Sequence, residues 1–178
     1  MSAKTYLVNN SAMPTTAAPV KQPTGTAIRT MMQLAPATGW TIRVIEWGCS
    51  FDGLTAATPG QVELVDTGTV FATVSSAYAA ADIMPFGDPN APANTAGSSG
   101  VPLNLGTSLS GFATAAGTEG SVTACRSLDT QMVAPTNQYV KQFPLSREPE
   151  IAPGHALRVR MTFGATVNAY CYIVFEAG

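Results

Sequence analysis

Charge is what this sequence has least of. Asp, Glu, Lys and Arg make up 11% of its 178 residues, less than half the share of about 25% in an average soluble domain, so its surface is largely neutral. Nine basic residues against eleven acidic ones leave a net charge of -2, and the cations are scattered along the chain. A phosphate backbone or an anionic lipid surface needs a clustered basic footprint. Nucleic acid and membrane are therefore not expected as partners. Histidine is scarcer still: the only one is His155, which excludes a multi-histidine metal site within one chain and the two-histidine, one-carboxylate kind. The three cysteines, Cys49, Cys125 and Cys171, are odd in number, lack CxxC spacing and lie in strand-like segments. Reduced thiols in such segments serve as small core groups, and a reducing compartment is expected. No window approaches the roughly 18 apolar residues of a spanning helix. Residues 1–16 show neither a basic stretch leading into an apolar one nor an Arg-rich amphipathic pattern, so no targeting segment is expected.

What the chain does have is turn-punctuated alternation. Its length suits one domain with a core large enough to stand without disulfides or metals. Residues 1–21 mix small polar residues with Pro14 and Pro19 and read as an extended N-terminal arm, mobile unless a neighbour or one short edge strand orders it. Residues 22–178 read as a single β-sandwich domain. A first strand is expected over 26–34, ended by Pro36 and Gly39. In 41–51 the apolar parity shifts: Ile42 and Val44 oppose Arg43, whereas Ile45 and Trp47 oppose Glu46. One extra residue flips later side chains to the other face, so a bulge is expected near Val44 and Ile45. Residues 61–66 form a half-buried strand and 70–74 another, and the Ala-rich run 75–84 suits one or two helical turns. From 85 to 120 only Asp88 and Glu119 are charged, and Leu103, Leu105, Leu109 and Phe112 interrupt a Gly, Pro, Ala, Ser and Asn background. A loop of that length is uncommon in a compact domain, and its apolar residues point to ordered packing, with another subunit as one surface they can pack against.

Strands return at 121–128 and 138–143, followed by a polar connection over 147–153. Over 155–163 Leu157, Val159, Met161 and Phe163 alternate with Arg158, Arg160 and Thr162, which predicts one core face and one wet face. Over 167–176 Ala169, Cys171, Ile173 and Phe175 oppose Asn168, Tyr170 and Tyr172, and the two segments read as a terminal hairpin. Seven to nine short strands without a sustained 3.6-residue period predict an all-β, antiparallel β-sandwich, and the long first and last strands suit a jelly roll better than an immunoglobulin fold.

Little of the sequence points to chemistry. His155 follows a Pro-Gly turn and reads as a solvated strand-start residue; as a general base it would need a Ser or Cys nucleophile, yet there is no GxSxG elbow and no recognisable cysteine motif. Glu46, Asp52, Glu63 and Asp66 cluster in sequence, but their spacing fits neither an EF-hand nor any other named motif. They read as solvated, capping or paired groups. The glycines of 106–120 lack the GxGxxG order of a phosphate cradle. Trp40, Trp47, Tyr6, Tyr78, Tyr139, Tyr170 and Tyr172 have polar handles suited to sugar stacking or protein interfaces if exposed. Only Tyr170 and Tyr172 are expected to share a face. No catalytic residue, cofactor or metal is expected.

The segments TGTAIRTMMQL (24–34), IRVIEWGCSFDGLTAATPGQVEL (42–64) and PGHALRVRMTF (153–163) resemble small structural proteins of tailed bacteriophages, over about half the chain. The resemblance implies a head decoration (cement) protein of jelly-roll type, a homotrimer bound to the major capsid protein on the capsid exterior. Such a virion protein is made in the host cytoplasm and is not an enzyme. The alternative is a receptor- or glycan-binding β-sandwich of a phage fibre or tail.

Overall fold

The computed structural model describes residues 4–13, 15–53, 58–87, 101–106, 108–114 and 118–178. Its strands are β1 (Lys4–Asn9), β2 (Gln22–Pro23), β3 (Arg29–Leu34), β4 (Ile42–Phe51), β5 (Gly60–Asp66), β6 (Val74–Ala77), β7 (Met84–Pro85), β8 (Gly111–Thr114), β9 (Arg126–Val133), β10 (Gln138–Gln142), β11 (Glu150–Ile151), β12 (Leu157–Thr162) and β13 (Asn168–Ala177). They form two antiparallel sheets. One runs β10-β4-β13-β1-β7, with β11 also on β4 and β2 also on β13; the other runs β6-β8-β3-β12-β5-β9.

The order β1-β13-β4-β10 facing β3-β12-β5-β9 is that of a jelly roll, in which successive strands of these eight, β5 and β9 excepted, cross between the sheets. The expected all-β sandwich is present. What widens it is the long insertion between β5 and β9. That segment supplies β8 and β6 beside β3 and β7 beside β1, so it lengthens both sheets at the side opposite its own point of departure. Residues 85–120, read as a long loop, thus contain a strand. Leu103 and Phe112 are buried in this chain's own core.

The inner faces interdigitate through Trp47, Phe175, Met32, Leu34, Ile42, Leu64, Leu157 and Ile173, all in one apolar cluster. The bulge expected at Val44–Ile45 is there. Opposite β4, Val174 pairs with Glu46 and Phe175 with Val44, which leaves Ile45 as the extra residue and turns both Val44 and Trp47 inward. Two further bulges, at Met31 in β3 and at Leu128 in β9, had no comparable parity shift to reveal them.

Several expectations are corrected. Residues 1–21 were expected as an arm, but Lys4–Asn9 is an interior strand that pairs with β13 along its length and with β7 on its other side, with Tyr6 and Val8 buried. Exposure along the chain begins only after Ser11, and 15–21 is exposed throughout. The terminal hairpin is absent: β12 pairs with β3 and β5, whereas β13 pairs with β4 and β1 in the facing sheet. Alternation fixes which side chains share a face but not which sheet a strand joins. The outer face of β12 is not wet either, since Arg158 is fully buried and Arg160 nearly so. Strand β6 begins at Val74, where 70–74 was expected to be extended, and the run 75–84 holds the rest of β6 and a single 3-10 turn at Ala80–Asp82. Strand β9 lies about five residues later than the 121–128 reading.

Cys49 and Cys171 sit directly opposite one another on β4 and β13, both as buried free thiols. Burial pushes the Cys49 thiol up to about 12 and Cys171 well above its usual value. Burial likewise raises Tyr6, Tyr78, Tyr139 and Tyr172, with Tyr139 at about 12. These groups keep their protons in the folded chain, whereas the unfolded chain loses them from about pH 8.5 for Cys and about pH 10 for Tyr. Their contribution to stability is whole below the unfolded values and is lost as pH rises through 10 towards the folded ones. Arg158, lowered to about 10 by burial, acts in the opposite sense, but it is one group against several. We expect the melting temperature, followed by tryptophan fluorescence, to fall steadily above about pH 9; a flat profile to pH 11 would contradict it.

Candidate functional site

One end of the sandwich gathers the side chains with the most chemistry. Asp66 closes β5, and Gly68, at φ +60, lets the chain turn back so that its N–H donates to Asp66 Oδ1 at 2.8 Å. Arg126 opens β9 directly across the ladder from Asp66, and its Nη2 reaches Asp66 Oδ2 at 3.1 Å and donates to the Glu150 carbonyl. The turn at Gly154, φ +77, delivers His155 just ahead of β12. Its Nδ1 lies 3.1 Å and 3.2 Å from the two Asp66 oxygens. The Asp66 side chain is only 7% exposed, so its charge is neutralised by partners rather than by water.

These residues line an open cavity of about 660 Å³, together with Thr41, Cys125 and Glu150. Cys125 is exposed, not a core thiol as expected, and Arg160 Nη2 stands 3.9 Å from its sulfur. His155, read from sequence as solvated, is half-buried and held by a carboxylate. Sequence reasoning had the residues but not their meeting, because Asp66, Cys125 and His155 come from three separate connections that only the topology brings to one end.

The four carboxylates that cluster in sequence do not cluster in space. Glu46 lies on the outer face of the β4 sheet and accepts from Tyr172 Oη at 2.5 Å. Asp52 pairs with Lys21 at 2.6 Å and accepts from Asn168; those partners, Lys21 foremost, hold it below the usual carboxylate value. Glu63 pairs with Arg160 at 2.7 Å on the outer face of the β5 sheet. Among the described residues, no group of three or more His, Cys, Asp and Glu side chains is placed to hold a metal ion.

A second polar cluster lies under the insertion. Glu119 accepts from Thr30 N at 2.7 Å, Thr30 Oγ1 at 2.6 Å and Thr114 Oγ1 at 2.9 Å. Arg158, beside it, donates to the Glu119 and Val70 carbonyls. Gln33 holds Ala72 through both its amide groups, donating to the carbonyl and accepting from the N–H. These contacts fasten the insertion over β3 and β12.

None of the seven aromatic residues with polar handles is exposed. Tyr170 and Tyr172 do share the outer face, as their spacing implied, but Tyr172 lies over Gly48, where an added Cβ would come within 2.7 Å of its ring. Trp47 Nε1 and Tyr139 Oη both donate to Asp129, at 3.1 Å and 2.8 Å, which joins the two sheets at their β9 and β10 side. Phe86, just after β7, is 60% exposed; the other exposed large apolar side chains among the described residues are aliphatic, and of these Met132 in β9, Val140 in β10 and Leu145 just beyond are 64%, 51% and 88% exposed. Among the described residues both strands are paired on one side only, so each leaves a free backbone edge on the same flank.

No helix among the described residues is long and apolar enough to cross a membrane. Compared with family models, curated proteins and solved structures, the chain matches none of them.

Proposed function

We propose that this protein is a structural virion component, a homotrimer that decorates and stabilises a bacteriophage capsid from outside, with the major capsid protein as its partner. The fold alone does not carry that reading, because jelly rolls host many functions. The observation that carries it is the flank of β9 and β10, with two free edges and the exposed side chains of Met132, Val140 and Leu145. Natural sheets blunt long free edges with charge, proline or a covering segment. Here β9 is a full eight residues long and shows apolar side chains nearby.

The occupant of this flank is a second copy of the chain. Strands β9 and β10 belong to different sheets, about 10 Å apart, so β9 of one copy against β10 of the next is a heterologous contact. Such contacts close into rings when the rotation allows. A neutral surface loses little hydration on burial, and the exposed run 15–21 extends the reach of each copy towards the capsid. The glycan-binding alternative draws less support, since a stacking platform needs an exposed aromatic face and, among the described residues, Phe86 alone offers an exposed aromatic ring, one without a polar handle.

Light scattering on the eluting protein is expected to give three times 18.4 kDa. The double substitution Met132→Lys, Val140→Lys should yield a folded monomer that no longer sediments with capsid shells lacking the protein. A parent chain that stays monomeric at high micromolar concentration and ignores such shells would overturn the proposal.

A further inference from the structure

The inner face of the β4 sheet holds a pair of thiols that the assembly proposed above does not use. Cys49 of β4 and Cys171 of β13 share one register position on adjacent antiparallel strands, so their side chains leave the sheet on the same face. Both belong to the apolar cluster, next to the inward pair Trp47 and Ile173. The hydrogen bonds fix what kind of pair they are. Cys171 N–H donates to the Asn10 side chain at 2.9 Å, and its carbonyl accepts from Asn10 N–H at 2.9 Å, so both of its backbone groups point away from β4. Cys49 and Cys171 are therefore a non-hydrogen-bonded pair, the closer of the two kinds, with Cα atoms about 4.5 Å apart. A disulfide spans Cα separations of about 4.4–6.8 Å. Bonding needs the two side chains to turn towards each other and neither strand to shift. We propose that this pair is a modification site, at which a peroxide converts the two thiols into a cross-strand disulfide between β4 and β13.

The reaction starts at Cys49. It is 3% exposed where Cys171 is fully buried, and among the described residues only β10, a five-residue edge strand, separates its side of β4 from solvent. Fraying of an edge strand is a low-energy opening. The Cys49 sulfur attacks one peroxide oxygen and the O–O bond breaks, leaving a sulfenic acid and one water. The Cys171 sulfur then attacks the Cys49 sulfur, the S–O bond breaks, and a second water leaves with the Cys171 proton. Two thiols lose two electrons, one peroxide gains them, and the products are one disulfide and two waters. Burial keeps both thiols protonated, which makes the reaction slow and keeps the pair reduced while reductants are in excess. Cys125 takes no part, since it is exposed beside Arg160 of the other sheet. The bond closes residues 49–171 into one covalent loop that contains every strand from β5 to β12, and long loops are those whose closure most restricts the unfolded chain.

The test uses the full chain carrying Cys125→Ser, so that only the pair can react. The chain is treated with hydrogen peroxide, then unfolded in excess alkylating reagent and weighed intact. Untreated protein is expected to take up two alkyl groups. Treated protein takes up none and is two hydrogens lighter, and digestion yields a β4 peptide joined to a β13 peptide until a reductant is added. Its melting temperature rises by about 4–16 °C. That rise is absent when Cys49→Ala or Cys171→Ala is added. Refolding the reduced, unfolded chain in a mixture of oxidised and reduced glutathione gives an independent route to the same bond, and formation by either route supports the proposal. Two alkylated thiols after both routes, sulfinic acid at Cys49 in place of the bond, or a bridged chain that has lost the parent's near-ultraviolet circular dichroism would each overturn it. None of these readouts depends on self-association, so they leave the trimer proposal untouched.

Discussion

A chain lacking residues 4–11 does not fold. Strand β1 is interior, laddered to β13 over six residue pairs and to β7 beyond. Burial of Tyr6 and Val8 alone is worth about 3–6 kcal/mol, a large part of the roughly 5–15 kcal/mol by which a domain is stable. Tyr6 also packs on Phe175, with ring centroids 5.6 Å apart. The same deletion uncovers Asn10's partners: its side chain accepts from Cys171 N–H and donates to the Ala169 carbonyl, so the ladder is carried past the end of β1. Replacing 15–20 with a Gly/Ser linker of equal length, by contrast, leaves the fold intact because those residues are exposed. Soluble yield and near-ultraviolet circular dichroism separate the two variants. A soluble 4–11 deletion with the parent's spectrum would contradict the account of β1.

The second large effect is expected at Arg158. Its side chain is fully buried on the outer face of β12, beneath the insertion, and its two terminal nitrogens donate to the carbonyls of Glu119 and Val70. Its Nη1 is also 3.6 Å from the Glu119 carboxylate. Arg158→Ala empties that volume, removes the guanidinium donors from the Glu119 and Val70 carbonyls, the latter keeping only Thr67 Oγ1, and strands Glu119 beside a cavity. Removing one partner of a buried pair costs about 3–5 kcal/mol. For a chain of this size that is a fall of about 6–20 °C in melting temperature. The double variant Arg158→Met, Glu119→Gln keeps the volume and removes both charges, so most of that loss is restored. Calorimetry distinguishes the two, and a fall of under about 2 °C for Arg158→Ala would show that the guanidinium does not fasten the insertion.

The arginines also explain where the sequence stopped being legible. Alternation in 155–163 correctly placed Leu157, Val159 and Met161 inward. It also put Arg158 and Arg160 on the other face, as they are, but the meaning of that face depended on what lies over it. The insertion that covers it departs from β5, dozens of residues away in sequence, and its residue types say nothing of its destination. The same limit separated His155 from Asp66 and Cys125. Local signals such as the parity shift at Ile45 were readable because they need only the strand itself and its neighbour. Tyr6 and Val8 alternate as strand residues should, but with Leu7 between them they form only a three-residue apolar cluster in a polar stretch, which resembles a mobile terminus until β13 is set beside it.

The insertion also makes the molecule one-sided. At the side it widens, the sheets end in β7, two residues long, and β6, four residues long. At the other they end in β9 and β10, eight and five residues long. A subunit with comparable edges on both sides can add copies without limit, as fibres do. Here the two long edges, β9 and β10, lie on one flank, so in the proposed head-to-tail contact successive copies turn about that flank instead of extending in a line. In the proposed trimer, that geometry favours a closed, countable cluster over a filament.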